Sequence, residues 1–204
     1  MPKFVFPDSG IEIEIERVSY VVSRMVEAAL QESYPDKPIA PFKEIKDVDG
    51  VVLQKVDMPL DTKFYLEQLS KPNVREEDKK AYQSDLDIVN AYLKSKREWD
   101  TRVSDAYSRK MRVQYAKHIK SPIDTKAVNQ IVAESKELGL DLESDILKEY
   151  ADANVPIEPE VLPKWIYLWC ICAQSVADIS ALNTWMQTGS KEALQATRNA
   201  LSMF

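Results

Sequence analysis

The spacing of apolar residues changes at Arg17. Residues 3–6 and 11–16 read as two short strands around a turn, and isoleucine alternates with glutamate through the second. Strict alternation places the isoleucines on one face of a strand and the glutamates on the other, solvated face. Beyond Arg17, apolar residues recur every three or four positions as far as Leu30, as on one side of an amphipathic helix. The pattern predicts a β-hairpin and then a helix that ends before Pro35.

A second hairpin is predicted after a proline-rich connector. Two short apolar runs, residues 42–48 and 51–58, flank the dipeptide Asp49-Gly50. Asp-Gly favours the positive φ angles of a two-residue hairpin turn. Pro59 then ends the second run.

The longest predicted helix covers residues 76–119, which contain neither glycine nor proline. A helix of that length would measure ~65 Å, whereas a compact chain of this size is roughly 40–45 Å across. Part of its apolar row should therefore face another copy of the chain or a different protein. The alternative is a break near Ser95 or Ser104 that folds the helix back and buries the row. The candidate interface residues are Tyr92, Trp99, Val103, Tyr107 and Met111.

The rest of the chain reads as a group of shorter helices. Two of them end at Gly139 and Gly189, and glycine commonly closes a helix. Ser175 and Asp178 have the spacing of a capping box, and a last helix is predicted from Ser190 to the end. Adjacent helices with short joints tend to pack on each other, so we expect one C-terminal core. Its predicted members are Trp165, Tyr167, Leu168, Trp169, Ile179, Leu182, Trp185 and Leu194.

These elements predict a mainly α fold (α+β), a helical bundle with a long central helix and small β-hairpins near the N-terminus. Three regions follow from the boundaries: residues 1–58 with the strands and first helix, residues 59–120 with the long helix, and residues 121–204 with the C-terminal helical core. At this chain length we expect them to form one compact domain with an extended helix.

Composition excludes several classes of function. The 204 residues carry a net charge of -6, which argues against general binding to a nucleic-acid backbone. All four glycines are accounted for by predicted turns or helix ends, so none remains for a phosphate-binding loop. The most apolar run, residues 161–173, is shorter than the ~20 residues that a membrane span needs. We therefore expect neither nucleic acid nor a membrane as partner.

Residue types for catalysis or metal binding are scarce. His118 is the only histidine, and it lies beside Lys117 and Lys120, with no carboxylate nearby in sequence to orient it. Cys170 and Cys172 are one residue apart, a spacing that strains a disulfide, and they lack further ligands for a metal ion. We expect two reduced core cysteines in a cytosolic protein. No enzymatic activity, cofactor or metal site is predicted.

Three stretches of the chain resemble segments of a known protein family and occur in the same order. Residues 6–19 are similar to the family's strand, P-x-T/S-G turn, acidic strand and helix, and the proline-rich connector then leads into the long helix with Trp99. Residues 192–204 are similar to its closing E-A-hydrophobic-x-x-A helix with a final phenylalanine. In this order the stretches resemble small bacteriophage proteins of tail-morphogenesis modules, described as tail assembly chaperones or tail-associated proteins.

The resemblance implies a non-enzymatic assembly factor that acts in the host cytoplasm through protein–protein contacts. Other tail or virion proteins, with the long tape-measure protein foremost, would be its partners, and self-association is a further expectation. The alternative is a structural subunit of the tail or head–tail connection that stays in the mature particle. The family contributes no catalytic residues, and the central helix here is longer and more charged than the family pattern.

Overall fold

Residues 3–189 are described by a computed structural model, in which helices predominate over two small antiparallel hairpins. The predicted fold class is thereby confirmed, whereas the predicted last helix lies outside the described residues. The strands are β1 (Lys3–Val5), β2 (Glu12–Glu14), β3 (Phe42–Lys46) and β4 (Val52–Asp57). The helices are α1 (Tyr20–Ser33), α2 (Thr62–Ser70), α3 (Glu76–Lys117), α4 (Thr125–Glu137), α5 (Leu142–Asp152), α6 (Leu162–Ile166) and α7 (Val176–Thr188).

The described chain divides into two compact units. The first unit contains residues 3–33 and 104–189, and the second is Tyr34–Val103. Helix α3 passes from the second unit into the first as one continuous helix of 42 residues, so the expected alternative of a break near Ser95 or Ser104 is wrong. These units differ from the three regions predicted along the sequence, because the first hairpin belongs with the C-terminal helices rather than with the second hairpin.

The N-terminal hairpin is built into the first unit. Ile13 and Ile15 are buried, as the alternation of isoleucine and glutamate predicted. The end of β2 and the residues beyond it pair with the segment that follows α3. The amide of Lys120 donates to the carbonyl of Glu14 at 2.8 Å, and the amide of Glu16 donates to the carbonyl of His118 at 3.0 Å. A sequence pattern reports which face is buried but not which distant segment covers it.

The predicted C-terminal core is confirmed for most of its members. Trp165, Tyr167, Leu168, Leu182 and Trp185 are buried in the first unit. The prediction was wrong for the other two described members, Trp169 and Ile179, which are only half-buried and line a cleft. Leu194 lies outside the described residues. The chain between α6 and α7 forms a π-helical turn, Tyr167–Cys172, whose wider winding re-aims side chains relative to an α-helix.

Only half of the predicted capping box forms at the start of α7. The Ser175 hydroxyl accepts a hydrogen bond from the amide of Asp178 at 3.0 Å, as predicted. The Asp178 carboxylate accepts from the amide of Asp8 at 2.9 Å. The aspartate thus ties the N-terminal turn to α7, and the Ser175 hydroxyl also donates to the Asp8 carboxylate at 2.5 Å.

The second unit has a hairpin and a small buried core. The predicted hairpin forms, but residues 47–51 join its strands, so the expected two-residue turn is wrong. Gly50 has a φ of 81° and Asp49 does not have a positive φ, and the Asp47 carboxylate accepts from the amide of Val51 at 2.8 Å. Helix α2, which the sequence did not predict, is capped by Asp61, whose carboxylate accepts from the amide of Lys63 at 3.0 Å. The buried cluster contains Met58, Tyr65, Leu86 and Val89.

Candidate protein-binding surfaces

Most of the row predicted as an interface along α3 is covered by the chain itself. Trp99, Val103 and Met111 are buried, while Tyr92 and Tyr107 are half-buried. The continuous helix therefore does not leave its whole apolar row exposed. The three buried side chains have little surface left for a partner.

The proline-rich connector accounts for the burial of Trp99. The indole Nε1 of Trp99 donates to the backbone carbonyl of Pro35 at 3.2 Å, and the Lys37 ammonium lies 5.8 Å from the centre of its rings. Trp99 and the connector all belong to the second unit. The periodicity of the sequence predicts the apolar row on α3, but it does not show that the connector packs against this row.

Tyr107 and Met111 line a cleft in the first unit, which we call the α3–α7 cleft. It has a volume of about 260 Å³ and lies between one face of α3, the π-helical turn and one face of α7. The structure thus places these two predicted interface residues together with Trp169 and Ile179, which the sequence analysis had assigned to the core. The cleft is lined by Tyr107, Ser108, Met111, Arg112, Tyr115, Trp169, Ile179, Asn183 and Gln187.

Trp169 is held by contacts on two sides of the α3–α7 cleft. Its rings stack on Tyr115, with centroids 6.3 Å apart and planes inclined by 26°. The guanidinium carbon of Arg112 lies 5.4 Å from the Trp169 ring centre, and the indole Nε1 donates to the Arg112 carbonyl at 3.3 Å. The tryptophan and the arginine are therefore fixed relative to each other, so the cleft presents an aromatic surface beside a positive charge.

Strands β3 and β4 expose apolar side chains on both faces. Every residue of the two strands is exposed. The most exposed apolar residues of the turn and of β4 are Val48, Val51 and Leu53. The other exposed apolar residues of this hairpin are Phe42, Ile45, Val52 and Val56. A surface of this composition fits contact with another protein better than contact with water.

Helix α1 leaves its apolar side uncovered as well. Tyr20, Val21 and Met25 are exposed, and Leu30 is the only described residue of this helix that is buried. A helix of 14 residues is marginal in water unless its apolar side packs against something. Both units thus expose apolar surface on a regular element.

Cys172 and His118 both lie in the first unit. Burial raises the pKa of the Cys172 thiol to about 12, so the thiol stays protonated and is a weak nucleophile at neutral pH. His118 Nδ1 lies 2.7 Å from the carbonyl of Gln114 in α3. Among residues 3–189, no three His, Cys, Asp or Glu side chains are grouped as a metal ion would require.

Comparisons with protein-family models, with curated proteins and with solved structures find no match to this chain. Within the described part of the chain, no helix combines the length and apolar character needed to cross a membrane.

Proposed function

We propose that this chain is a non-enzymatic protein that acts through contacts with other proteins, and that it does so in bacteriophage tail assembly. The exposed β3–β4 hairpin carries the first part of the proposal. The sequence resemblance of residues 6–19 and 192–204 supports the second part, with the tape-measure protein as the expected partner.

The hairpin has little support from its own unit. A two-stranded hairpin is at best marginally stable alone in water. One backbone hydrogen bond at the base of this hairpin and one ion pair on its side hold it in place. The amide of Met58 donates to the carbonyl of Pro41 at 3.1 Å, and the Lys43 ammonium pairs with the Asp85 carboxylate. Its outer edges leave backbone amide and carbonyl groups unpaired among the described residues, as edge strands do. A binding partner would cover the apolar faces and pair these edges.

The energy available at this surface is enough for specific binding. Complete burial of a Val or Leu side chain stabilises by about 1.5–3 kcal/mol. Val51 and Leu53 are 59% and 66% exposed in the chain alone, so covering them would contribute roughly 1–2 kcal/mol each. Replacing both with glutamate should therefore weaken binding by about 30-fold or more.

Co-expression with the products of the flanking genes tests the proposal. We expect at least one product to co-purify with the wild-type chain and to be lost from Val51→Glu/Leu53→Glu. Leu138→Glu is a matched control, because Leu138 is 79% exposed and lies at the end of α4 in the other unit. All these side chains face solvent, so circular dichroism should show the same melting temperature for every variant.

Two outcomes would contradict the proposal. One is that no flanking product co-purifies while the chain remains monomeric at about 100 µM, a concentration at which micromolar contacts are occupied. The other is that the hairpin variant retains its partner as fully as Leu138→Glu does. Analysis of purified particles then separates the two roles, since a structural subunit is retained in them and an assembly factor is not.

A further inference from the structure

We propose that the α3–α7 cleft binds a helical segment of a partner protein that presents an aromatic or aliphatic side chain one turn away from an Asp or Glu. The inference rests on the proposed function because it requires a protein partner. It assigns a second contact surface, on the unit that does not contain the β3–β4 hairpin.

The lining residues on α3 and α7 repeat at four-residue steps. Tyr107, Met111 and Tyr115 are four residues apart on α3, and on α7 the positions 179, 183 and 187 repeat the same step. Four-residue steps stay on one face of a helix, so each helix contributes to the lining a face about 12 Å long. That length corresponds to two turns of a partner helix, which would place anchors at positions i and i+4.

The floor and the rim of the cleft differ in character. Tyr107 and Trp169 are half-buried and leave aromatic surface for an apolar anchor, whereas the buried Met111 and Tyr115 add only a small part of the floor. Ser108, Asn183 and Gln187 supply neutral hydrogen-bonding groups. The volume of about 260 Å³ is suited to a few side chains of a segment rather than to a large cofactor.

Arg112 gives the cleft its charge preference. Among the described residues it is the only charged one in the lining, and no described carboxylate lies within 4.0 Å of its guanidinium to form an ion pair. Its guanidinium lies against the Trp169 ring, and its positive charge opposes the burial that raises the pKa of the Tyr150 hydroxyl. A guanidinium has five N–H donors with which to bind a further group. Two parallel donors of this kind match a carboxylate.

The acidic character of the whole chain sharpens this preference. With a net charge of -6, the protein does not attract acidic segments in general. Binding of an acidic segment would therefore depend on Arg112 and on apolar contact in the cleft. A neutral substitution at Arg112 should remove the preference, while Trp169 keeps its stack on Tyr115 and its hydrogen bond to the backbone carbonyl at position 112.

A displayed library of random peptides of about twelve residues tests the inference directly. We expect peptides selected on the full chain to share an aromatic or aliphatic residue three or four positions from an Asp or Glu. They should bind the wild type about tenfold more tightly than Arg112→Gln. Lys126→Gln removes a positive charge from α4 outside the cleft and should bind like the wild type.

Nuclear magnetic resonance places the bound peptide. The indole N–H signal of Trp169, assigned from Trp169→Phe, should shift on addition of the selected peptide. Asn183→Glu is a second variant in case Arg112→Gln fails to fold, because it adds a carboxylate to the lining and should also weaken binding. Selected peptides without an acidic residue, equal binding to Arg112→Gln or Asn183→Glu, an unmoved Trp169 signal, or no selected peptide would each overturn the inference.

The hairpin variant separates this inference from the proposed function. Val51→Glu/Leu53→Glu should bind the selected peptides like the wild type while losing its co-purifying partner. If the peptides fail and the hairpin variant still loses its partner, only the cleft assignment is wrong. If the hairpin variant keeps its partner, the proposed function fails at the hairpin, whatever the cleft binds.

Discussion

Phe4 provides the sharpest test of how the first unit is assembled. Its side chain is 1% exposed, its ring meets that of Phe6 edge-on with centroids 4.9 Å apart, and its centroid lies 6.0 Å from that of Trp185 in α7. Phe4→Ala removes the ring and leaves a cavity between the N-terminal hairpin and the C-terminal helices. Val5→Ala, on the same strand but 53% exposed, is the matched control.

The expected loss follows from the buried area. An aromatic side chain buries about 150–250 Å², and at about 25 cal/mol per Å² this corresponds to ~4–6 kcal/mol. Alanine retains part of that area, so the free energy of unfolding should fall by ~3–5 kcal/mol for Phe4→Ala. Val5→Ala should cost less than about 0.5 kcal/mol, as exposed substitutions usually do.

Urea denaturation followed by tryptophan fluorescence measures the difference. Trp165, Trp169 and Trp185 all lie in the first unit, so the signal reports mainly on that unit. With a urea slope of about 2 kcal/mol per M, the midpoint should fall by ~2 M for Phe4→Ala. Midpoints of the two variants within about 0.3 M of each other would refute the placement of the first hairpin in this core.

Two further predictions concern backbone strain and pH. Gly189 closes α7 with a φ of 62°, and an added Cβ would lie 2.5 Å from Cδ of Arg17. Gly189→Ala should therefore lower the free energy of unfolding by about 1–2 kcal/mol. The loss should be smaller when Arg17→Ala is also present, and thermal denaturation measures both. Burial raises the pKa of the Cys172 thiol from 9.0 to about 12 and those of the Tyr115 and Tyr167 hydroxyls from 10.0 to about 12. The unfolded chain releases these protons at the ordinary values, so their contribution to stability is complete below pH 9 and should be lost between pH 9 and 12; a melting temperature that stays constant over that range would contradict it.

Local periodicity predicted the elements because each depends on neighbouring residues. The alternation in residues 11–16 gave the buried face that Ile13 and Ile15 occupy, and the glycine-free stretch gave α3. Helix α2 was missed because its nine residues are too few for a clear period and its signal is the single cap at Asp61.

The candidate surfaces were harder to predict, because they depend on which distant segments cover an apolar row. Trp99 is buried by the connector around Pro35, a contact between residues 64 positions apart. Trp169 looked like core in an apolar run, yet the π-helical turn leaves it at the edge of the cleft. The exposed hairpin was predicted as a hairpin, but alternation alone could not show that both of its faces are exposed.

Hydrogen exchange of the chain alone and with its co-purified partner tests the central claim, that the β3–β4 hairpin is a protein-binding surface. Uncovered strands whose amides face water exchange quickly, and a partner that pairs or covers them slows exchange. The account predicts that the largest slowing on binding falls in Phe42–Lys46 and Val52–Asp57. A partner that binds while exchange in these two strands stays unchanged would contradict it.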